Sequence, residues 1–194
     1  MLNLKKVDIS IFKKIIYPEY LKLFAEEERK SLSLIELLFN KDILNIIEIT
    51  DNNIFVGFMI INEIDDNKYI QLDYFAILPK YQCKGLGTKA LSLLKELYKN
   101  YNGIFIEVEK LDSNINDGDN KIRKRRINFY KNSGFYKLNL EFWWFDSLVL
   151  TPYISLLKEK SVSDEIILDN ILNLYLKTHG KEKLKQSLKI IKLK

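Results

Sequence analysis

Apolar residues recur at helical intervals between residues 11 and 40: Ile15, Ile16, Tyr20, Leu21 and Phe24, then Leu34, Leu37 and Leu38. This spacing predicts helix over the region, with Pro18 breaking the first stretch or starting a new one. The charged link Glu26-Glu27-Glu28-Arg29-Lys30 lies between the two apolar groups. The period then changes. Ile43 to Thr50, Ile54 to Ile61 and Tyr69 to Ile77 read as strands, separated by the turn formers Asp51-Asn52-Asn53 and Asp65-Asp66-Asn67. Ile54 to Ile61 is apolar throughout, as expected of a central strand covered on both faces. Gly57 inside it predicts a bulge or a close backbone approach, and Pro79 stops the third strand.

Helical spacing returns from Leu86 to Tyr98, with apolar residues at 86, 90, 93, 94 and 97. Residues 104 to 109 alternate: Ile104, Ile106 and Val108 face one way, Phe105, Glu107 and Glu109 the other. A polar loop from Asp112 to Asn120 leads into a short helix that ends near Asn132, before Ser133-Gly134. Residues 135 to 157 are aromatic-rich and strand-like. From about Ser163 the pattern predicts a helix ending at His179-Gly180, then a second, Lys-rich helix. The chain therefore reads as a domain over residues 1–160 and a helical extension over 161–194, packed on that domain and available for a homodimer contact.

Composition narrows the classes. With 47% hydrophobic and 29% charged residues in 194, the chain is globular and long enough to bury one good core. The N-terminus lacks a signal-peptide pattern and the longest apolar run is too short to cross a bilayer, so a cytoplasmic protein without membrane partners is expected. The single cysteine, Cys83, excludes an intrachain disulfide, and with a single histidine, His179, it leaves no zinc-type ligand set. No metal is expected. His179 suits the last turn of a helix, where a cation favours the dipole. The basic run Lys121, Arg123, Lys124, Arg125 and Arg126 reads as a solvated helix face, so nucleic acid is not the expected partner.

The most informative segment is Pro-Lys-Tyr-Gln-Cys-Lys-Gly-Leu-Gly-Thr at residues 79 to 88. A strand, a proline, a loop with paired glycines and an amphipathic helix form an anion-binding order. The helix start offers unpaired amides, and glycines let an anion approach the backbone. The loop is neither a Walker A sequence nor a complete dinucleotide fingerprint. Alone, it would read as a helix cap.

Its surroundings resemble the GNAT superfamily of N-acetyltransferases. Gln82-x-x-Gly85-x-Gly87 after Phe75-Ala76-Ile77-Leu78-Pro79 is similar to that family's coenzyme A motif. Ile127-Asn128-Phe129-Tyr130-Lys131-Asn132-Ser133-Gly134-Phe135 resembles its tyrosine helix-turn, and Ile106-Glu107-Val108 its intervening strand. The resemblance covers roughly residues 1 to 155. It implies an α/β fold with a mixed, mostly antiparallel central sheet flanked by helices, and acetyl transfer from acetyl-CoA directly to a primary amine of a small molecule or protein. A catalytically inactive acyl-CoA-binding module is the alternative.

The resemblance also implies roles. Phe75, Ala76 and Ile77 would hold the pantetheine arm through a strand bulge, and the amides of Gln82, Cys83, Lys84, Gly85, Leu86, Gly87 and Thr88 the pyrophosphate. Tyr130 matches the general acid. Glu107 is the first choice of base, with Glu63, Asp73 and Glu109 as alternatives. Arg123 and Arg126 replace the Asn and Ala common in the family, and Arg123 would reach a coenzyme A phosphate instead. The Glu26-to-Lys30 link and residues 136–153 would shape the acceptor site.

Overall fold

The computed structural model describes residues 1–63, 69–112, 116–145, 148–158 and 161–193. They fall into two compact units, Met1–Asp66 with Ile70–Tyr98, and Asn67–Tyr69 with Lys99–Lys194. The turn expected at Asp65-Asp66-Asn67 lies outside the described residues.

The first unit opens with a strand absent from the sequence-based expectation, β1 (Leu2–Val7). Asp8 ends it and caps α1 (Ile9–Ile11), its carboxylate accepting from the amides of Ser10 and Ile11 at 2.9 Å. A π-helical turn, Phe12–Ile16, leads into α2 (Tyr17–Leu23). Pro18 sits in the first turn of α2, which follows the π-helical turn with no non-helical residue between them, so the hydrogen-bond pattern changes at the proline without a break in the helical run. After a 3₁₀ turn at Glu26–Glu28 comes α3 (Leu32–Asn40), capped by the Ser31 hydroxyl.

Three strands follow as expected: β2 (Leu44–Asp51), β3 (Ile54–Asn62) and β4 (Tyr69–Ile77). β1, β2, β3 and β4 pair in that order, each antiparallel to the next. Asn52 and Asn53 take φ of 49° and 64°, the paired left-handed residues of a tight hairpin turn. β3 is buried from Val56 to Asn62, so both of its faces are covered. Phe58 meets Tyr20 of α2 edge-on at 6.4 Å.

Gly57 marks both features that its position suggested. The β2–β3 register shifts beside it, between Ile49 and Thr50, and a Cβ at Gly57 would overlap the carbonyl oxygen of Ala76 on β4. A turn at Pro79–Tyr81 then leads to α4 (Leu86–Leu97), which lies against β1. The helix buries Leu86, Ala90, Leu91 and Leu94. Its inner face is thus rotated from the expected one: Leu91 is inside, while Leu93 and Leu97 are exposed.

The second unit contains β5 (Gly103–Glu109), α5 (Asp117–Asn132), β6 (Tyr136–Lys137), β7 (Leu140–Trp144) and β8 (Leu148–Leu156). It continues through α6 (Asp164–His179), α7 (Lys181–Ser187) and β9 (Leu188–Lys192). β8 pairs antiparallel with β5, β6 and β7, and β7 with β9. Mostly antiparallel strands flanked by helices make the expected α/β class, and the two tail helices are present. The Lys-rich helix is shorter than expected, however, because the chain leaves it to pair as β9. α6 packs on β7, Tyr175 lying 5.9 Å from Phe142 and 5.4 Å from Trp144. His179, in its last turn, rests against Trp144 and Tyr175.

The Gly57 contact makes a direct test. Gly57→Ala should destabilise the protein by about 1–3 kcal/mol, the usual cost of forcing atoms into a packed core. Denaturant unfolding measures this, and an unchanged midpoint would contradict the close approach.

Candidate functional site

Within the first unit the chain leaves β4 through a tight, internally bonded turn. The Tyr81 amide donates to the Leu78 carbonyl at 2.8 Å and the Gln82 amide to Pro79 at 3.2 Å. The Gln82 side chain reaches back, its Nε2 donating to the carbonyl of Ile77 at 2.8 Å. Cys83 then takes φ of 60°, and Gly85, the N-cap of α4, takes φ of 74°. Two left-handed residues with one between them turn the chain sharply onto the helix. A glycine at the second removes the steric penalty there.

No side chain caps α4. Its first amides are therefore left to solvent or to a ligand, at the end of the helix carrying partial positive charge. A Cβ at Gly85 would meet nothing within 4 Å, so the space over the turn is open. Cys83, Lys84 and Thr88 are exposed and Gly87 half-buried. Lys80 and Lys84 lie over the Tyr81 ring at 4.8 and 5.7 Å, which keeps two ammonium groups beside the turn. Leu86 is buried and anchors the helix start.

Phe75, Ala76 and Ile77 form the last part of β4. Against β3 they pair regularly, Phe75 opposite Met59, Ala76 opposite Phe58 and Ile77 opposite Gly57. The irregularity falls earlier: Tyr74 pairs with Ile60 and Leu72 with Ile61, which leaves Asp73 as the extra residue of a bulge.

In the second unit Glu107 lies on β5 opposite Pro152 of β8. It is half-buried, and one of its carboxylate oxygens is fully buried. Tyr130, near the end of α5, packs its ring 5.1 Å from Phe129 and 5.6 Å from Phe135. Its carbonyl accepts from the amides of Ser133 and Phe135, which closes the helix. Burial pushes its phenol up to about 12, with the nearby Arg126 charge acting the other way.

The three alternative carboxylates are held as follows. Glu63 accepts from Asn45 at 2.5 Å and from Lys6 at 3.3 Å. Asp73 accepts from Lys30 at 2.5 Å. Glu109 bridges Arg123 at 2.8 Å and Arg126 at 3.0 Å. Arg123 also donates to the Lys110 carbonyl at 2.7 Å, so a phosphate contact would require it to leave these partners. The basic run on α5 is thus divided: Arg123 and Arg126 are tied to Glu109, while Lys121, Lys124 and Arg125 line a shallow surface groove with Phe129. Among the described residues no group of three or more His, Cys, Asp or Glu could hold a metal ion. Nor is any described helix long and apolar enough to cross a membrane.

Residues 11–135 match the model of the acetyltransferase (GNAT) family. The chain belongs to the GNAT family. A GNAT-family protein from Bacteroides thetaiotaomicron is 20% identical with a TM-score of 0.70, over 92% of this chain and 99% of that one. A spermidine N-acetyltransferase chimera of Vibrio cholerae and hSSAT is 16% identical with a TM-score of 0.61, over 80% and 95% of the two chains. The Salmonella typhimurium protein yncA, solved with its cofactor acetyl-CoA, is 16% identical with a TM-score of 0.56, over 84% and 98%. At such identities the likeness bears on the fold. No curated protein matches the sequence.

Two features of this GNAT protein were not legible beforehand. Sequence reasoning named Asp73 only as an alternative base and missed its pairing with Lys30. That Asp73 lies between buried Leu72 and Tyr74 signals the need for a partner, but not which residue supplies it. It also missed Tyr74, whose hydroxyl donates to the Glu28 carbonyl at 2.6 Å.

Tyr130 yields a pH test with a definite sign. Folding favours its neutral form, so its stabilising contribution is full below pH 10 and is lost as pH rises through about 12. In ultraviolet titration, Tyr130→Phe should remove a phenol ionising near 12, and in unfolding experiments it should soften the decline in stability above pH 10. Removal of a phenol titrating near 10 would contradict the burial argument.

Proposed function

We propose that this protein transfers an acetyl group from acetyl-CoA directly to a primary amine of a small molecule or protein, within a GNAT domain over residues 1–160. The observation that carries the reading is the uncapped start of α4, entered through left-handed Gly85 and open above it. The residues fit a pyrophosphate there, because the amides of Cys83 to Thr88 supply donors and dipole where a side chain would otherwise cap, the Gln82 amide being held by the Pro79 carbonyl. Phe75, Ala76 and Ile77 would hold the pantetheine arm and orient the acyl group through their main chain.

The chemistry has two demands. An amine of pKa near 10 is neutral only about one part in a thousand at pH 7, a deficit of roughly 4 kcal/mol in nucleophile. Glu107 would accept that proton, directly or through a water. The second demand is charge on the departing sulfur, which Tyr130 would meet. With its phenol near 12, Tyr130 is protonated at neutral pH. Complete transfer to a thiolate of pKa about 8.5 would run uphill, so the phenol acts mainly as a hydrogen-bond donor to the developing charge.

The test is release of free coenzyme A from acetyl-CoA across a panel of polyamines, amino sugars and peptide amines. Turnover on at least one amine is expected; binding without turnover on any would favour an acyl-CoA-binding module. Gly85→Glu should weaken donor binding by about tenfold or more, the loss of about 1.4 kcal/mol. Tyr130→Phe should lower kcat by about 10² at most, with donor affinity kept. Undiminished donor binding in the glutamate variant would rule out the turn as the pyrophosphate site.

A further inference from the structure

Two neighbouring residues of β4 grip the same distant segment, which a regular strand does not allow. Successive side chains of a strand point to opposite faces. Here the Asp73 carboxylate takes the Lys30 ammonium at 2.5 Å, while that ammonium lies 5.2 Å from the centre of the Tyr74 ring. The Tyr74 hydroxyl donates to the Glu28 carbonyl at 2.6 Å and accepts from the Lys30 amide at 3.2 Å. The same amide reaches the Tyr20 hydroxyl at 2.8 Å, and the Tyr74 ring stands edge-on to Tyr20 and Phe24 at 4.9 and 5.0 Å. The bulge explains the geometry. Asp73 is the residue left out of the β3–β4 ladder, and an extra residue re-aims the side chains around it.

The pair itself is nearly enclosed, with 11% of the Lys30 and 12% of the Asp73 side chain exposed. Enclosed ion pairs add little stability over apolar residues of the same size; their best-attested use is to fix a register. Register matters here because a one-residue slip reverses every side chain beyond it. The residues beyond Asp73 and Tyr74 are Phe75, Ala76 and Ile77.

We propose that Lys30 is a positioning residue: by holding Asp73 it pins the bulge of β4, and so fixes the main chain of Phe75–Ile77 in the register that receives the acyl group. The second half of this statement rests on the acetyl-transfer reading above. The first half does not. Lys30 is assigned no contact with either reactant; its ammonium acts through Asp73 and the Tyr74 ring beside it.

The experiment uses the full chain as Lys30→Met/Asp73→Leu, which removes both charges and leaves neither unpaired. Its thermal stability should stay near the parent's, since apolar replacements of such pairs are often neutral. Amide hydrogen exchange at Tyr74–Ile77 should nevertheless accelerate. With an amine that the parent acetylates, kcat should fall by about tenfold or more, as misplacement by about an ångström can do. Calorimetric affinity for coenzyme A, set mainly at the α4 turn, should change by less than about threefold. Asp73→Asn, which keeps size and a hydrogen-bond acceptor for Lys30, should shift exchange and kcat in the same direction and by less. Parental exchange at Tyr74–Ile77 in the folded double variant, or in Asp73→Asn if the double variant does not fold, would overturn the proposal. Faster exchange with undiminished kcat would overturn the link to acyl positioning. A parent without turnover on any amine would sink the acetyl-transfer reading alone, and exchange would still decide the role of the pair.

Discussion

The left-handed backbone at Gly85 is the constraint on which the rest of the site depends. A residue at φ of 74° with no side chain lets α4 begin abruptly, without a capping group, at the end of a short turn from β4. Any side chain there would carry the steric cost of that conformation and would also stand in the space above the turn. The helix behind it is not free to adjust, because Leu86, Ala90, Leu91 and Leu94 are buried along its length. A rigid helix with exposed first amides is a fixed positive pole, and a fixed pole suits a ligand whose phosphates must always come to rest in one place.

β4, which feeds this turn, is held at four successive points. Asp73 is tied to Lys30, Tyr74 to Glu28 and the Tyr20–Phe24 aromatics, Ala76 lies against Gly57, and the Ile77 carbonyl receives the Gln82 side chain. These restraints are of different kinds: an ion pair, a hydrogen bond with ring packing, the absence of a Cβ, and a side chain folding back on its own strand. Together they fix the strand's register and its exit. The second unit, taken by itself, has candidate groups of another sort. Burial raises the pKa of the Tyr130 phenol, and Glu107 brings a carboxylate into β5, whose other residues up to Val108 are apolar. Glu109, two residues on, bridges two arginines of α5.

What the sequence disclosed follows from where each cause resides. Glycine, proline and asparagine act through their own backbones, so the turn at 79–88, the change of helical pattern at Pro18, the Asn52-Asn53 hairpin and the close approach at Gly57 were all legible. The long apolar periods of β3 and α4 were legible too, although leucines at 91, 93, 94 and 97 offer α4 two overlapping stripes, and only packing selects between them. β1 and β9 were not legible. Each is five or six residues long, and each is a strand because of a partner remote in the chain, β2 in one case and β7 in the other. The Lys-rich stretch around Ile190 and Ile191 satisfies a helical pattern equally well until that partner is known. The Lys30–Asp73 pair was hidden for the same reason: no local spacing links residues 43 positions apart.

The most direct test of the account is the response of the α4 turn to the acyl donor. Amide hydrogen exchange, followed residue by residue with and without saturating acetyl-CoA, reports whether the helix's first amides become bonded. Exchange at Cys83 to Thr88 should slow markedly when the donor is present. Donor binding that leaves those amides exchanging at their free rates would contradict the assignment of this turn as the pyrophosphate site.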